Sequence, residues 1–120
     1  MGDSVNTSSL KIERQRVGSV DVITPVGALV DRDAERFIHV VTERIASSNP
    51  RLVLCLQDVP YMDSIALEGL FTASEQLADR AAGLKLACVT QTCREILELT
   101  GLAPRMRFFE ELQDAIKSFI

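Results

Sequence analysis

The sequence predicts one α/β domain: a mixed central sheet of about five strands with about four helices. Three observations carry this. Short aliphatic runs alternate with longer amphipathic stretches through most of the 120 residues. The run "RLVLCLQDV" is nearly continuous in apolar residues, and "LKLACVT" reads as a second strand of the same kind, which suits strands covered on both faces. Strands separated by helices need crossover connections, and these place neighbouring strands parallel with right-handed crossovers.

Residues 1–10 are rich in Ser and Asn and are expected to form a flexible lead-in, leaving 11–120 as the folded unit. "KIERQRVGSVDVITPVG" reads as two strands around a turn at Gly18-Ser19, with Ile12, Val17, Val20, Val22 and Val26 giving approximate alternation. Pro25 has no N–H to donate and is expected to end or roughen the second strand. "DRDAERFIHVVTERIASSNP" is a helix capped by Asp31 or Asp33, with Ala34, Phe37, Ile38, Val41 and Ile45 at helical spacing. After the "RLVLCLQDV" strand, Ile65, Leu67, Leu70, Phe71, Ser74 and Leu77 fit a helix opening at Ser64 and ending near Ala81-Ala82, with Gly83 as its C-terminal cap. "QTCREILELTG" is a short helix closed by Gly101, with Ile96, Leu97 and Leu99 as its apolar positions. "RMRFFE" is a short edge strand. "ELQDAIKSFI" closes the chain as a helix with Leu112, Ala115, Ile116 and Phe119 inward.

Composition narrows the function. A hydrophobic content of 47% with 25% charged residues is that of an ordinary globular domain. The net charge of −4 argues against a nucleic-acid surface, which needs a basic stripe. No apolar run approaches the roughly 18 residues of a membrane helix, and the polar N-terminus is not a secretory signal, so no membrane insertion is expected. Three cysteines without a CxxC pair suggest reduced thiols in a cytoplasmic protein, with Cys55 and Cys88 as small core residues. The single histidine, His39, cannot build a zinc site on the usual spacings and is expected to pack or face solvent.

Catalytic patterns are missing. There is no phosphate-cradling glycine loop and no GxSxG elbow around any serine. Paired acids such as Asp31 with Asp33, or Glu110 with Glu111, sit at helix starts, where the dipole alone favours them. Asp58 and Asp63 flank the end of the third strand, where ligands of open α/β sheets bind. No base, third acid or lysine accompanies them, so no enzyme, cofactor or metal is expected.

The stretch "YMDSIALEGLF" holds the candidate site. Asp63 or Ser64 can serve as the helix N-cap; neither is followed three residues later by Glu or Gln, so there is no capping box. The same geometry presents Ser64 at the rim of the sheet. A phosphate there would carry roughly −1.5 to −2 charges, and the helix N-terminus would tolerate it. An apolar shelf of Met62, Ile65 and Leu67 beside Asp63 would then hold a second anion, and a partner docked over it would be repelled.

On these residues, and on the "Leu99-Thr100-Gly101-Leu102" turn and the acidic helix after "FF", the chain resembles the STAS domain, the anti-sigma factor antagonist family, from about residue 15 to 119. The resemblance implies that Ser64 is phosphorylated by an anti-sigma factor serine kinase. It implies that the unphosphorylated domain binds that kinase and that a metal-dependent serine phosphatase resets it. Asp63 becomes the neighbouring contact acid and Asp31 a partner-binding acid. The family's usual run is Ser-Ser-Gly-Leu or Ser-Ala-Gly-Leu, where this chain has Ser64-Ile65-Ala66-Leu67. That departure motivates an alternative, an unswitched scaffold role in a signalling or lipid-transport assembly. A small-ligand binder or enzyme using Asp58, Asp63 and Ser64 ranks below both.

Overall fold

The computed structural model describes residues 9–78, 80 and 83–120. Two antiparallel strands, β1 (Lys11–Val17) and β2 (Val20–Val26), turn at Gly18-Ser19 and lead into helix α1 (Asp31–Ile45). There follow β3 (Leu52–Cys55), α2 (Ser64–Leu77), β4 (Leu84–Ala87), α3 (Gln91–Leu99), a 3-10 turn (Ala103–Arg105), β5 (Met106–Phe109) and α4 (Leu112–Lys117). The sheet runs β1-β2-β3-β4-β5, antiparallel at the first pair and parallel thereafter. The mixed α/β architecture expected from the sequence is present. The expected lead-in over 1–10 falls mostly outside the described residues; Leu10 is packed into the core, and the Arg36 guanidinium donates to its carbonyl.

Because the parallel strands follow one another in chain order, successive right-handed crossovers lay α1, α2 and α3 on one face. Ile23, Leu52, Leu54, Leu84, Leu86 and Met106 point from the sheet into this core and meet Phe37, Val41, Leu70 and Leu97 from the helices. The opposite face is covered by α4, whose Ala115, Leu112 and Ile116 pack on Val20, Val22, Val53, Cys55 and Ala87. The aliphatic runs "LVLC" and "LKLA" are buried at every position because both faces of the central strands are covered.

Several expectations are corrected. Pro25 does not end β2, which runs on to Val26. The β2–β3 ladder stops at Ile23 opposite Leu54, so nothing on that side asks Pro25 for a hydrogen bond. Helix α2 ends at Leu77; the expected end near Ala81-Ala82 lies outside the described residues. Leu99 is 88% exposed, because the core side of α3 is formed by Cys93 and Leu97, four residues apart, and Leu99 projects away from it. Cys88 is only half-buried, and Lys85, inside a strand read as apolar, is buried at 3% exposure. Its ammonium donates to Ser118 Oγ at 2.8 Å and sits 3.6 Å from the Phe119 ring centroid, and burial lowers its pKa. His39 is exposed, with Nε2 3.4 Å from Glu43.

Gly101 does close α3. Its φ of +79° is one that L side chains avoid. The Gly101 amide bonds the Glu98 carbonyl and the Leu102 amide bonds the Leu97 carbonyl at 2.9 Å, a Schellman ending. The other structurally demanding glycine is Gly69 on α2. A Cβ there would stand 2.3 Å from Ile38 Cγ1, so α1 and α2 approach closely only because the side chain is absent.

Candidate functional site

The site lies at the C-terminal edge of the parallel strands, where β3 hands over to α2. The chain between them is held on two sides. On one, the Leu29 amide bonds the Tyr61 carbonyl at 2.9 Å and the Asp63 amide bonds the Leu29 carbonyl at 3.0 Å, a one-residue parallel bridge to the segment before α1. On the other, the Val59 carbonyl accepts from Thr90 Oγ1 at 2.9 Å and from Cys93 Sγ at 3.3 Å, both at the start of α3. Thr90 also caps α3. The approach to Ser64 is therefore fixed by contacts far apart in sequence.

Asp63, not Ser64, is the N-cap of α2. Its Oδ1 accepts from the Ile65 amide at 3.0 Å and the Ala66 amide at 3.2 Å. Its Oδ2 accepts from the Asp31 amide at 2.8 Å, across 32 residues of sequence. One carboxylate thus ties together the N-termini of two helices. Helix α1 has no side-chain cap of its own: its N-cap is Val30, so the expected capping by Asp31 or Asp33 is corrected. Asp31 adopts φ +51° as it turns its amide toward Asp63, which leaves its side chain exposed beside the junction. Aspartate, with its short polar side chain, tolerates this left-handed region better than most residues.

Ser64 is the first residue of α2. It is exposed, and its hydroxyl makes no hydrogen bond to any described residue. Around it the apolar surface differs from the expected shelf. Met62 is 1% exposed and belongs to the core. The bridge at Leu29 makes the local chain extended, so alternate side chains face opposite ways: Met62 turns in, and Tyr61, half exposed, turns out. Ile65 and Leu67 remain half-buried on α2. The sequence signal for an outward Tyr61 is the period-two alternation through "YMD". From Ile65 a shallow groove of about 430 Å³ runs between α1 and α2, with Ile38, Gly69 and Thr72 along it and Glu35 and Glu68 on its sides.

Asp58 is exposed on the turn after β3, and its carbonyl accepts from the Gly27 amide. Both oxygens of Asp63 face backbone amides, and among the described residues no three acidic, histidine or cysteine side chains are disposed to hold a metal ion. Among the same residues, no helix is long and apolar enough to cross a membrane.

Together the fold and the site define an α/β module that presents an exposed serine hydroxyl on the rim of a mixed sheet. The chain belongs to the STAS domain family, which matches residues 11–115. Solved structures share the fold. An anti-sigma factor antagonist from Mycobacterium paratuberculosis superposes with a TM-score of 0.81 at 24% identity, over 92% of this chain and 93% of that one. An anti-sigma-factor antagonist (STAS) domain protein from Planctomyces limnophilus gives 0.75 at 18% identity, over 89% and 96%. The Bacillus cell fate determinant SpoIIAA in its phosphorylated form gives 0.69 at 19% identity, over 92% and 100%. No protein of curated function matches the chain in sequence.

Proposed function

We propose that this protein is an anti-sigma factor antagonist whose affinity for an anti-sigma factor serine kinase is set by phosphorylation at Ser64. The observation that carries the reading is the exposed Ser64 hydroxyl, without a hydrogen-bond partner among the described residues, on the first turn of a helix whose cap is already filled by Asp63. A hydroxyl so placed is free to receive a phosphoryl group without breaking any bond of the fold. The product adds roughly −1.5 to −2 charges to a rim that already carries Asp31 and Asp63. A partner covering Tyr61, Ile65 and Leu67 would have to bury that charge, at a cost of about 2–5 kcal/mol. Release follows from electrostatics, and this chain catalyses nothing.

The roles divide. Ser64 is the phosphoacceptor. Asp63 positions it, since its oxygens are committed to the Asp31, Ile65 and Ala66 amides. Asp31, Ile65 and Leu67, with Tyr61 in place of Met62, meet the partner. A metal-dependent serine phosphatase restores the binding form, and the cycle runs in the cytoplasm.

Incubation with the ATP-loaded kinase followed by intact-mass measurement tests this. A phosphate mapped to Ser64, a stable complex with the Ser64→Ala variant and none with Ser64→Asp are expected. Wild-type affinity in both variants would favour the second reading, an unswitched scaffold in a signalling or lipid-transport assembly. That reading is favoured by one observation: Ile65, a half-buried β-branched residue, stands directly beside the serine.

A further inference from the structure

The α4 face of the sheet holds a pair of thiols that the proposed switch does not use. Cys55 ends β3 and pairs in register with Ala87, the last residue of β4. The next residue, Cys88, would point to the other face of a regular strand. Instead it adopts φ +57°, its amide bonding the Phe109 carbonyl at 2.9 Å, and packs with the same buried cluster as Cys55. Both cysteines therefore sit at the adjoining ends of β3 and β4, packed in one cluster. Cys55 is buried at 2% exposure, whereas Cys88 is half-buried and opens onto a cavity of about 470 Å³ with Arg94, Phe108 and Glu110 in its walls. One thiol is reachable and the other waits behind it, the arrangement of an attacking and a resolving cysteine.

We propose that Cys55 and Cys88 form a reversible intramolecular disulfide by exchange with a low-molecular-weight disulfide entering this cavity. The Cys88 thiol loses its proton and attacks one sulfur of the small disulfide, expelling the other as a thiolate that takes up a proton. Cys55 then loses its proton and attacks the Cys88 sulfur, releasing the second small thiol. The protein is oxidised by two electrons, one small disulfide is reduced to two thiols, and no other reactant is needed. The bond would join the ends of β3 and β4 immediately before the loop that leads to Ser64. Burial, and then the neighbouring Cys55, push the Cys88 pKa up. The resting pair is therefore protonated and exchange is slow, so the reaction is best read at equilibrium. Cys93, fully buried in the core of the opposite face and bonded to Val59, takes no part.

The test equilibrates the reduced, folded protein in buffers of graded oxidised-to-reduced glutathione ratio, quenches in acid, and alkylates free thiols after unfolding. Mass mapping of the wild type is expected to show two of its three cysteines protected, as a crosslinked Cys55–Cys88 peptide pair that dithiothreitol restores. Cys93→Ala keeps the crosslink, and Cys55→Ser halts at a glutathione adduct on Cys88. Three alkylated cysteines at every ratio, a wild type that stops at the adduct, or a crosslink containing Cys93 would each overturn the proposal. The wild-type map decides the matter even if a variant does not fold.

Discussion

The two strand-to-helix junctions at the top of the sheet lie against each other yet are built differently. The β3–α2 junction carries its own cap: Asp63 closes the first turn of α2 within three residues of sequence. The β2–α1 junction has none. Val30 stands at its cap position, and the α1 end is held by the same Asp63 from across the bridge. One junction is a local motif and the other is an accessory to it. The lesson is that the serine-bearing junction organises its neighbour. The position of the Asp31 backbone at this edge is thereby tied to a residue 32 places away.

The comparison can be broken most directly at Asp63. Replacing it with Ala removes bonds to three amides on two helices, and a loss of about 2–3 kcal/mol in unfolding free energy is expected. Urea denaturation measures it. Asp63→Asn, which keeps one acceptor oxygen for α2, should recover more than half of that loss. A cost below about 0.5 kcal/mol for the alanine variant would show that the shared carboxylate is incidental.

A smaller effect is expected where the two helices touch. Gly69→Ala forces a methyl into Ile38 and should cost about 1–2 kcal/mol, after the better helix propensity of alanine offsets part of the clash. Adding Ile38→Ala should return stability toward wild type. Additive losses in the double variant would mean that the helices are not in the close contact described.

The clamp from α3 is weaker again. Thr90→Val loses the α3 cap and the bond to Val59 and should cost about 1 kcal/mol by thermal melting. Amide exchange in the 56–62 loop should quicken in the same variant. The smallest effect is expected at Asp31. Its amide, not its side chain, is what the fold uses, and glycine adopts φ +51° readily, so Asp31→Gly should stay within about 0.5 kcal/mol of wild type. Partner affinity should fall in that variant while stability does not, which separates the two junctions by function.

Much of this was legible in the chain. The order of strands and helices follows from the change between continuous aliphatic runs and helical spacing. The Asp63-Ser64 junction and the Gly101 ending follow from short-range capping chemistry, in which the residues that bond lie within a few positions of one another. Met62 misled because an apolar residue beside an exposed serine has no marker for which way it faces; the isolated bridge to Leu29 decides that. Leu99 misled in the opposite sense, since nine residues of helix allow more than one apolar stripe until a neighbour selects one. The buried strand "LKLACVT" is legible, but what receives the Lys85 ammonium is not, because its partners, Ser118 and Phe119, arrive 33 and 34 residues later.

By itself, then, the sequence determined the α/β class, the family resemblance and the presence of a serine at a helix start. Each of these depends on residues that are neighbours along the chain. Only the tertiary structure decided that Asp63 spans two helices, that Tyr61 rather than Met62 faces outward, and that Cys88 turns to meet Cys55. Those outcomes rest on hydrogen bonds and packing between segments about 30 residues apart, whose partners are chosen when the sheet assembles.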